Sequence, residues 1–277
     1  MKRYLLDKII DVDTEYTAEM DKAYVIHAIG TDSSSKATLY VAGAPCAEVV
    51  EPIAPLAPDL TNANELLDLG DLYVVVPPSK QLKFTGASGS KMRIKGYIIE
   101  LEPGEALPAG LLARYTEQSK KFITYFSGSD TTAEGNTVSA DTETTLIEQT
   151  IGAGEKYILK DRYQAEGRLD DLTHISRFYS RIYVNDNPLD ILDTDMGKKG
   201  IAGTGAPNPP RFVTTTTTDI EAQEVAKKPF SLKDVPIELN PGDILKVTMI
   251  NNGDDYTVPT GKTLYQIAHI VAVKEYI

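Results

Sequence analysis

The amino-acid sequence predicts an all-β protein built from two tandem β-sandwich domains that are joined by a short helical connector. Short runs of β-branched and aromatic residues, separated by turn residues, fill most of the chain. The order of these runs recurs in the second half, and one stretch between the halves lacks the strand pattern. A chain of 277 residues is long enough for two domains with separate cores.

Ten segments have the composition of β-strands and are bounded by Gly, Pro, Ser or Asp. In the first half they are residues 22–30, 36–43, 71–78, 81–86 and 92–102. In the second half they are residues 143–152, 155–161, 176–186, 243–251 and 265–277. Many short strands with turn-rich connections are typical of sandwiches and barrels rather than of α/β folds.

Residues 108–122, "PAGLLARYTEQSKKF", contain no Gly or Pro after their opening. A helix there turns a group of apolar side chains toward one side, namely Leu111, Leu112, Tyr115 and Phe122. We therefore expect a first domain at 1–107 with an N-terminal arm, a connector helix at 108–122 and a second domain at 123–277.

Four segments of the first half match segments of the second half in the same order. The pairs are 21–28 with 154–161, 36–43 with 180–186, 67–76 with 238–247, and 92–101 with 264–273. The third pair has a leucine followed by Gly-Asp in both members. This order favours duplication of one domain, and the alternative is two unrelated β-domains that share general strand patterns.

The Gly-Asp pairs are interpreted as turns. Glycine adopts positive φ where the chain reverses, and aspartate can bond the backbone two residues further on. A role of Asp71 and Asp243 as metal ligands is the weaker alternative.

The second domain contains a long inserted loop at 187–235, where the first half has a shorter connection at 44–66. Loops longer than about 12–15 residues are usually functional or disordered. Residues 214–218 are five consecutive threonines. They predict either an edge strand that pairs with another subunit or a solvated loop.

Charge and cysteine content exclude several classes of protein. The net charge of −12, with thinly spread Lys and Arg, argues against direct nucleic-acid binding. Cys46 is the single cysteine, so no internal disulfide is expected, and its apolar neighbours predict a buried, inert thiol. Asp7 and Lys8 interrupt the apolar N-terminal stretch, and no secretory or membrane-spanning segment is expected.

The sequence contains no recognised catalytic pattern. His27, His174 and His269 are far apart, without the close spacing of cupin metal ligands, and no Gly-x-Ser-x-Gly motif occurs. Residues 86–91, "GASGSK", lack the Walker spacing and are interpreted as a hairpin. We expect a protein that is not an enzyme, with no catalytic, cofactor-binding or metal residue and no cofactor.

Acidic clusters at 170–171, 186–195 and 251–255 supply oxygen ligands of the kind that calcium prefers. None has the spacing of an EF-hand, and solvated turns are the favoured interpretation. The alternative hypothesis is that Asp190, Asp193 and Asp195 bind calcium at a subunit contact.

The strand pair in "TLIEQTIGAGEKYIL" (145–159), followed by "IELNPGDILKVTMIN" (237–251) and a closing hydrophobic strand, resembles jelly-roll domains of viral structural proteins. Two such domains in tandem resemble the double jelly-roll major capsid proteins of tailless, membrane-containing double-stranded DNA viruses. The resemblance covers most of residues 15–277. It implies two eight-stranded rolls per chain and trimers whose six rolls form a pseudo-hexagonal capsomer.

The resemblance further implies a virion structural protein that is synthesised in the host cytoplasm and assembles with itself and with other virion proteins. Lys2, Arg3 and Lys8 of the N-terminal arm would then face membrane headgroups or neighbouring subunits. The alternatives are an accessory virion protein, such as a decoration, spike or tail component, and a module that binds glycans or receptors. The absence of Trp weakens glycan binding. Several tyrosines are better assigned to strand interiors: Tyr24, Tyr40, Tyr73, Tyr157 and Tyr183.

Overall fold

The computed structural model describes residues 1–57, 65–170, 175, 178–189, 201–202, 230–232, 236–251 and 253–277. These residues divide into two compact units, of which the first contains residues 1–57, 65–125 and 273–276. The remaining described residues form the second unit. The prediction of an all-β protein is confirmed, whereas the domain limits 1–107, 108–122 and 123–277 stay predictions.

The first unit contains nine strands, a single 3-10 turn at Gly70–Leu72 and one α-helix, α1 (Ala109–Glu117). The strands are β1 (Lys2–Asp11), β2 (Tyr16–Thr17), β3 (Lys22–Thr31), β4 (Ala37–Val41), β5 (Ala44–Val49), β6 (Leu67–Asp68), β7 (Val74–Val76), β8 (Gln81–Thr85) and β9 (Lys91–Glu100).

These nine strands form two antiparallel sheets. In one sheet the order is β1-β9-β3, with β6 and β7 both paired to the far side of β3. In the other the order is β5-β4-β8-β2. If β6 and β7 are counted as one interrupted strand, the unit has eight strands. Numbered 1 to 8 along the chain, they have the order 1-8-3-6 in the first sheet and 5-4-7-2 in the second. This is the strand order of a jelly roll, in which two Greek keys form two facing sheets.

The second unit begins within β10 and contains most of β21. Its strands are β10 (Lys121–Thr132), β11 (Thr137–Val138), β12 (Glu143–Thr150), β13 (Glu155–Leu169), β14 (Phe178–Val184), β15 (Asn187–Pro188), β16 (Ile201–Ala202), β17 (Phe230–Ser231), β18 (Ile237–Leu239), β19 (Ile244–Asn251), β20 (Tyr256–Thr257) and β21 (Leu264–Tyr276). One sheet has the order β10-β21-β13, with β17 and β18 on β13, and the other has β12-β19-β14, with β15 and β16 on β14.

The same jelly-roll order therefore recurs in the second unit. Three of the four segment pairs occupy equivalent positions: β3 and β13, β4 and β14, and β9 and β21. The pairing of the two Gly-Asp sites is wrong. Gly70 lies between β6 and β7, whereas Gly242 lies in the turn between β18 and β19. Both glycines have positive φ, +53° and +89°, so two different turns share one local requirement.

The prediction of a free N-terminal arm is also wrong. Residues 2–11 form β1, which pairs with β9 over ten consecutive residues. Leu6 and Ile10 are buried, while the intervening side chains are exposed. An edge strand needs few apolar residues, because only one of its faces is buried. Residues 44–49, expected to be part of a connection, form β5.

The predicted connector helix is shorter than expected. Helix α1 ends at Glu117, and Phe122 is buried in β10 instead of lying on the helix. Leu112 is 52% exposed, so the expected apolar side is only partly formed. Leu111 does pack, against a small cluster that contains Ala23, Val25, Ile99 and Leu101.

Gln118 lies directly after the helix, and its side-chain hydrogen bonds explain why the helix ends there. Its side chain accepts a hydrogen bond from the Val75 N–H (2.8 Å) and donates one to the Val75 carbonyl (2.9 Å). Gln118 is 1% exposed. The residue thus satisfies Val75 on the outer side of β7, where no other strand of the described part of the chain is paired.

The tyrosines assigned to strand interiors are only half-buried. Tyr73 packs against the cluster below α1, and Tyr157 packs against the core of the second unit. Tyr163 is fully buried in that core, like Phe178, and its hydroxyl donates a hydrogen bond to Ser180. A tyrosine needs a polar partner when it is buried, and Ser180 supplies one.

Candidate functional site

The structure separates the candidate catalytic residues. Cys46 is 1% exposed on β5, and burial raises the pKa of its thiol to about 12. His27 lies at a β-bulge in β3, with its ring 5.2 Å from that of Tyr73 and 5.5 Å from that of Tyr97. His174 is outside the described residues. Within the described part of the chain, no group of three or more His, Cys, Asp or Glu side chains could hold a metal ion.

The interpretation of Asp243 as a turn residue is supported by its contacts. Its carboxylate accepts hydrogen bonds from Asn185 Nδ2 (2.8 Å) and from the Asn240 N–H (2.7 Å). These donors lower the pKa of Asp243, the Asn185 bond most strongly. Asn185 also accepts a bond from the Ile244 N–H (2.9 Å), so the cluster ties together two turns of the second unit.

Two other predicted turns have similar internal bonds. Asp71 is exposed in the 3-10 turn, and the Gly70 N–H bonds to Asp68 Oδ1 (2.9 Å). Residues 86–91 connect β8 to β9, with the Ala87 N–H donating to Ser33 Oγ (2.9 Å). In both turns, a hydrogen bond from a backbone N–H to a side-chain oxygen stabilises the chain reversal.

The acidic clusters are only partly described. Asp190, Asp193 and Asp195, which carry the calcium hypothesis, lie outside the described residues. In the third cluster, Asp255 accepts a hydrogen bond from the Ala140 N–H (2.8 Å). This bond links the segment that contains Asp255 to the connection between β11 and β12.

Several polar side chains on β13 and β21 are buried together, and the sequence does not predict their burial. Glu166 is 1% exposed, and its Oε1 lies 3.1 Å from the Nε of Arg168. Burial raises the pKa of Glu166 to about 7, although the Arg168 charge opposes this shift. Burial, followed by the Arg168 charge, lowers the pKa of His269 to about 4. Polar residues at alternate positions of β13 are typical of an exposed face, so the sequence pattern predicts exposure here.

A surface cavity of about 520 Å³ in the first unit is lined by acidic residues. Its polar lining includes Glu100, Glu102 and Glu105, but these carboxylates already have partners within the unit. The Met1 amino group lies 3.7 Å from Glu102 and 3.4 Å from Glu105, and the Tyr4 hydroxyl donates to Glu100 at 2.5 Å. These three carboxylates of the cavity therefore already bind groups of the first unit.

Exposed apolar side chains concentrate near the start of the chain. Among the described residues, five of the eight exposed large apolar side chains lie within residues 1–20: Met1, Tyr4, Leu5, Ile9 and Met20. Leu5 is 82% exposed and Ile9 is 52% exposed on the outer face of β1. Apolar side chains on a sheet edge are a feature of contact surfaces.

No helix in the described part of the chain is long and apolar enough to cross a lipid bilayer.

Comparison with solved structures finds similarity to the major capsid protein P2 from bacteriophage PM2. The two chains are 10% identical, the match covers 98% of each, and the TM-score is 0.29. No protein-family model matches the sequence, and no curated protein matches it. By its own strand order, the chain is a tandem jelly-roll protein.

Proposed function

We propose that this protein is a virion structural protein, namely a major capsid protein that forms a shell by self-assembly. The observation that carries the proposal is the complete jelly-roll strand order in each of the two units of one chain. Jelly rolls are used as capsid domains, and also in lectins and cupins. Two rolls per chain give six rolls per trimer, which suits a pseudo-hexagonal capsomer.

The function is structural and not enzymatic in this proposal. Rigid sheets provide a stable subunit, while edges and loops form the contacts between copies. The net charge of −12 keeps free subunits soluble through mutual repulsion before assembly. The same charge disfavours direct contact with nucleic acid.

The proposal includes further partners and a location. Subunits are synthesised in the host cytoplasm and end in the virion, where they contact other virion proteins and an internal membrane. The membrane contact does not use a free N-terminal arm, since residues 2–11 belong to a sheet.

The decisive experiment is to determine the mass of the purified chain by size-exclusion chromatography with light scattering, followed by negative-stain imaging. We expect trimers with a pseudo-hexagonal outline that form larger arrays at high concentration. A protein that stays monomeric and binds a sugar on a glycan array would overturn the proposal in favour of a binding module. Trimers that decorate a pre-existing shell without forming one would instead indicate an accessory virion protein.

A further inference from the structure

Among the described residues, no strand pairs with the outer edge of β1. β1 is the terminal strand of its sheet, and its ten pairs with β9 show no register shift. The Val12 N–H bonds to Ser90 on the β9 side, whereas the Asp11 N–H bonds to the Tyr16 hydroxyl on the opposite side. Successive N–H groups of an antiparallel strand alternate in direction. The N–H groups of Arg3, Leu5, Asp7 and Ile9 therefore point away from β9.

β1 carries charged side chains at Lys2, Arg3, Asp7 and Lys8, which disfavour unspecific pairing of an edge strand, but two other usual protections are absent. β1 contains no proline and no bulge, and Leu5 and Ile9 expose apolar surface on its outer face. Natural proteins usually block such edges, because unpaired N–H and C=O groups accept another strand. Tyr16 closes only the end of the edge at Asp11.

On the outer face of β1 the charges complement a second copy of the same strand, although Lys2 would lie opposite Lys8 on the other face and Asp7 already pairs with Arg93 (2.8 Å). Arg3 and Asp7 are four residues apart with Leu5 midway between them. In an antiparallel pair centred on Leu5, Arg3 lies opposite Asp7 of the second copy, and this contact occurs twice. Leu5 then lies opposite Leu5 of the second copy, and Tyr4 lies opposite Leu6. Opposite-charge and apolar cross-strand pairs both stabilise a sheet.

We propose that β1 binds β1 of a second copy of this chain as an antiparallel strand about a two-fold axis at Leu5. The inference extends the proposed function by naming one contact of the assembly, and it rests on that function only for its biological setting. A two-fold contact of this kind joins separate oligomers, which a three-fold contact within a trimer cannot do. The contact is small, so it is weak between isolated subunits and strengthened when many copies assemble together.

A cysteine cross-link tests the register directly. Opposed residues of a hydrogen-bonded antiparallel pair have Cα atoms about 5.5 Å apart, within disulfide range. We expect Leu5→Cys to form a disulfide-linked dimer under mild oxidation. Ile9→Cys is the matched control on the same exposed face. Its two copies would be separated by eight residues, or about 26 Å, and should remain unlinked. The native Cys46 is buried and does not compete.

A charge test addresses the same contact by a second route. In the Leu5→Cys background, Arg3→Asp places two carboxylates opposite each other and should slow cross-linking about tenfold. Lys2→Asp makes the same change in net charge but lies opposite Lys8 of the second copy, so it should preserve or accelerate the reaction. Thermal melting of each variant establishes that the subunit is folded.

The outcomes are distinct from those of the capsid experiment. Cross-linking that is absent, that is equal for Leu5→Cys and Ile9→Cys, or that is insensitive to Arg3→Asp would overturn the strand-pairing proposal. Trimers and arrays seen for the wild-type protein would leave the proposed function intact in that case. Selective cross-linking of a chain that forms no trimer would support the contact and count against the capsid role.

Discussion

At the scale of single residues, Glu166 and His269 make opposing contributions to stability. The pKa of His269 is about 4 in the folded protein against an ordinary value of 6.5. Between these pH values the unfolded chain binds a proton that the folded chain does not, so the free energy of unfolding rises with pH. The pKa of Glu166 is about 7 against 4.5, and the folded chain holds the extra proton, so its contribution falls with pH.

Between about pH 4.5 and 6.5 the two contributions nearly cancel, because their slopes with pH are opposite in sign. Each changes the free energy of unfolding by roughly 3 kcal/mol at most. Glu166→Gln removes the falling contribution, and we expect the stability of this variant to increase from pH 5 to 6.5. His269→Gln should show the reverse trend. Urea midpoints followed by far-ultraviolet circular dichroism measure both slopes. Parallel pH profiles for the two variants would contradict the assignment.

At the scale of elements, the bulge in β3 depends on a close approach of two backbones. A Cβ at position 96 would lie 1.9 Å from the carbonyl oxygen of Val25. The backbone of β9 can therefore lie this close to β3 only because residue 96 is glycine. Gly96→Ala should therefore lower the free energy of unfolding by about 3 kcal/mol or more, since main chain cannot move aside as a side chain can.

Gly110 supplies the matched control for this substitution. It lies within helix α1, and a Cβ there would meet nothing within 4 Å. Gly110→Ala should raise the free energy of unfolding by roughly 0.5–1 kcal/mol, because alanine loses less entropy than glycine on entering a helix. Chemical denaturation of both variants provides the comparison. Equal and small effects would mean that β3 and β9 are not held at this separation.

At the scale of the whole molecule, the last residues of the chain belong to the first unit. Residues 273–276 cluster with it, and their contacts include a bond from the Tyr276 N–H to the Lys120 carbonyl (2.9 Å). Glu275 also lies 2.8 Å from Lys121, and the Tyr276 ring packs near Phe122. The first unit is thus completed by residues that follow Tyr125, the end of its preceding segment, by more than 140 positions.

Deletion of residues 273–277 should consequently weaken a segment that is 150 residues earlier in the sequence. We expect faster amide hydrogen exchange at residues 118–125, with little change in the cluster formed by Asn185 and Asp243 in the second unit. Deletion of Ile277 alone is the control, because this residue is 71% exposed. Unchanged exchange at residues 118–125 in the longer deletion would show that the C-terminal residues do not stabilise the first unit.

Much of the fold was predictable from local sequence. Strands such as 81–86 and 243–251 were located within a few residues, since alternation and turn residues act over short distances. The first strand was missed because an edge strand needs only Leu6 and Ile10 as apolar anchors. The two Gly-Asp turns were equated because a local signal does not indicate which strands a turn connects. Of the candidate residues, Cys46 and Asp243 have the predicted environments, whereas the calcium hypothesis lies outside the described residues.

Local sequence is enough to predict that this chain forms short strands in two successive sets, because strand period and turn preference are properties of neighbouring residues. The pairing of residues 2–11 with a sheet, the burial of Glu166 beside Arg168 and the place of residues 273–276 in the first unit follow only from the folded structure. Each of these features depends on which distant segment lies alongside, and that choice is made by the packing of the whole chain.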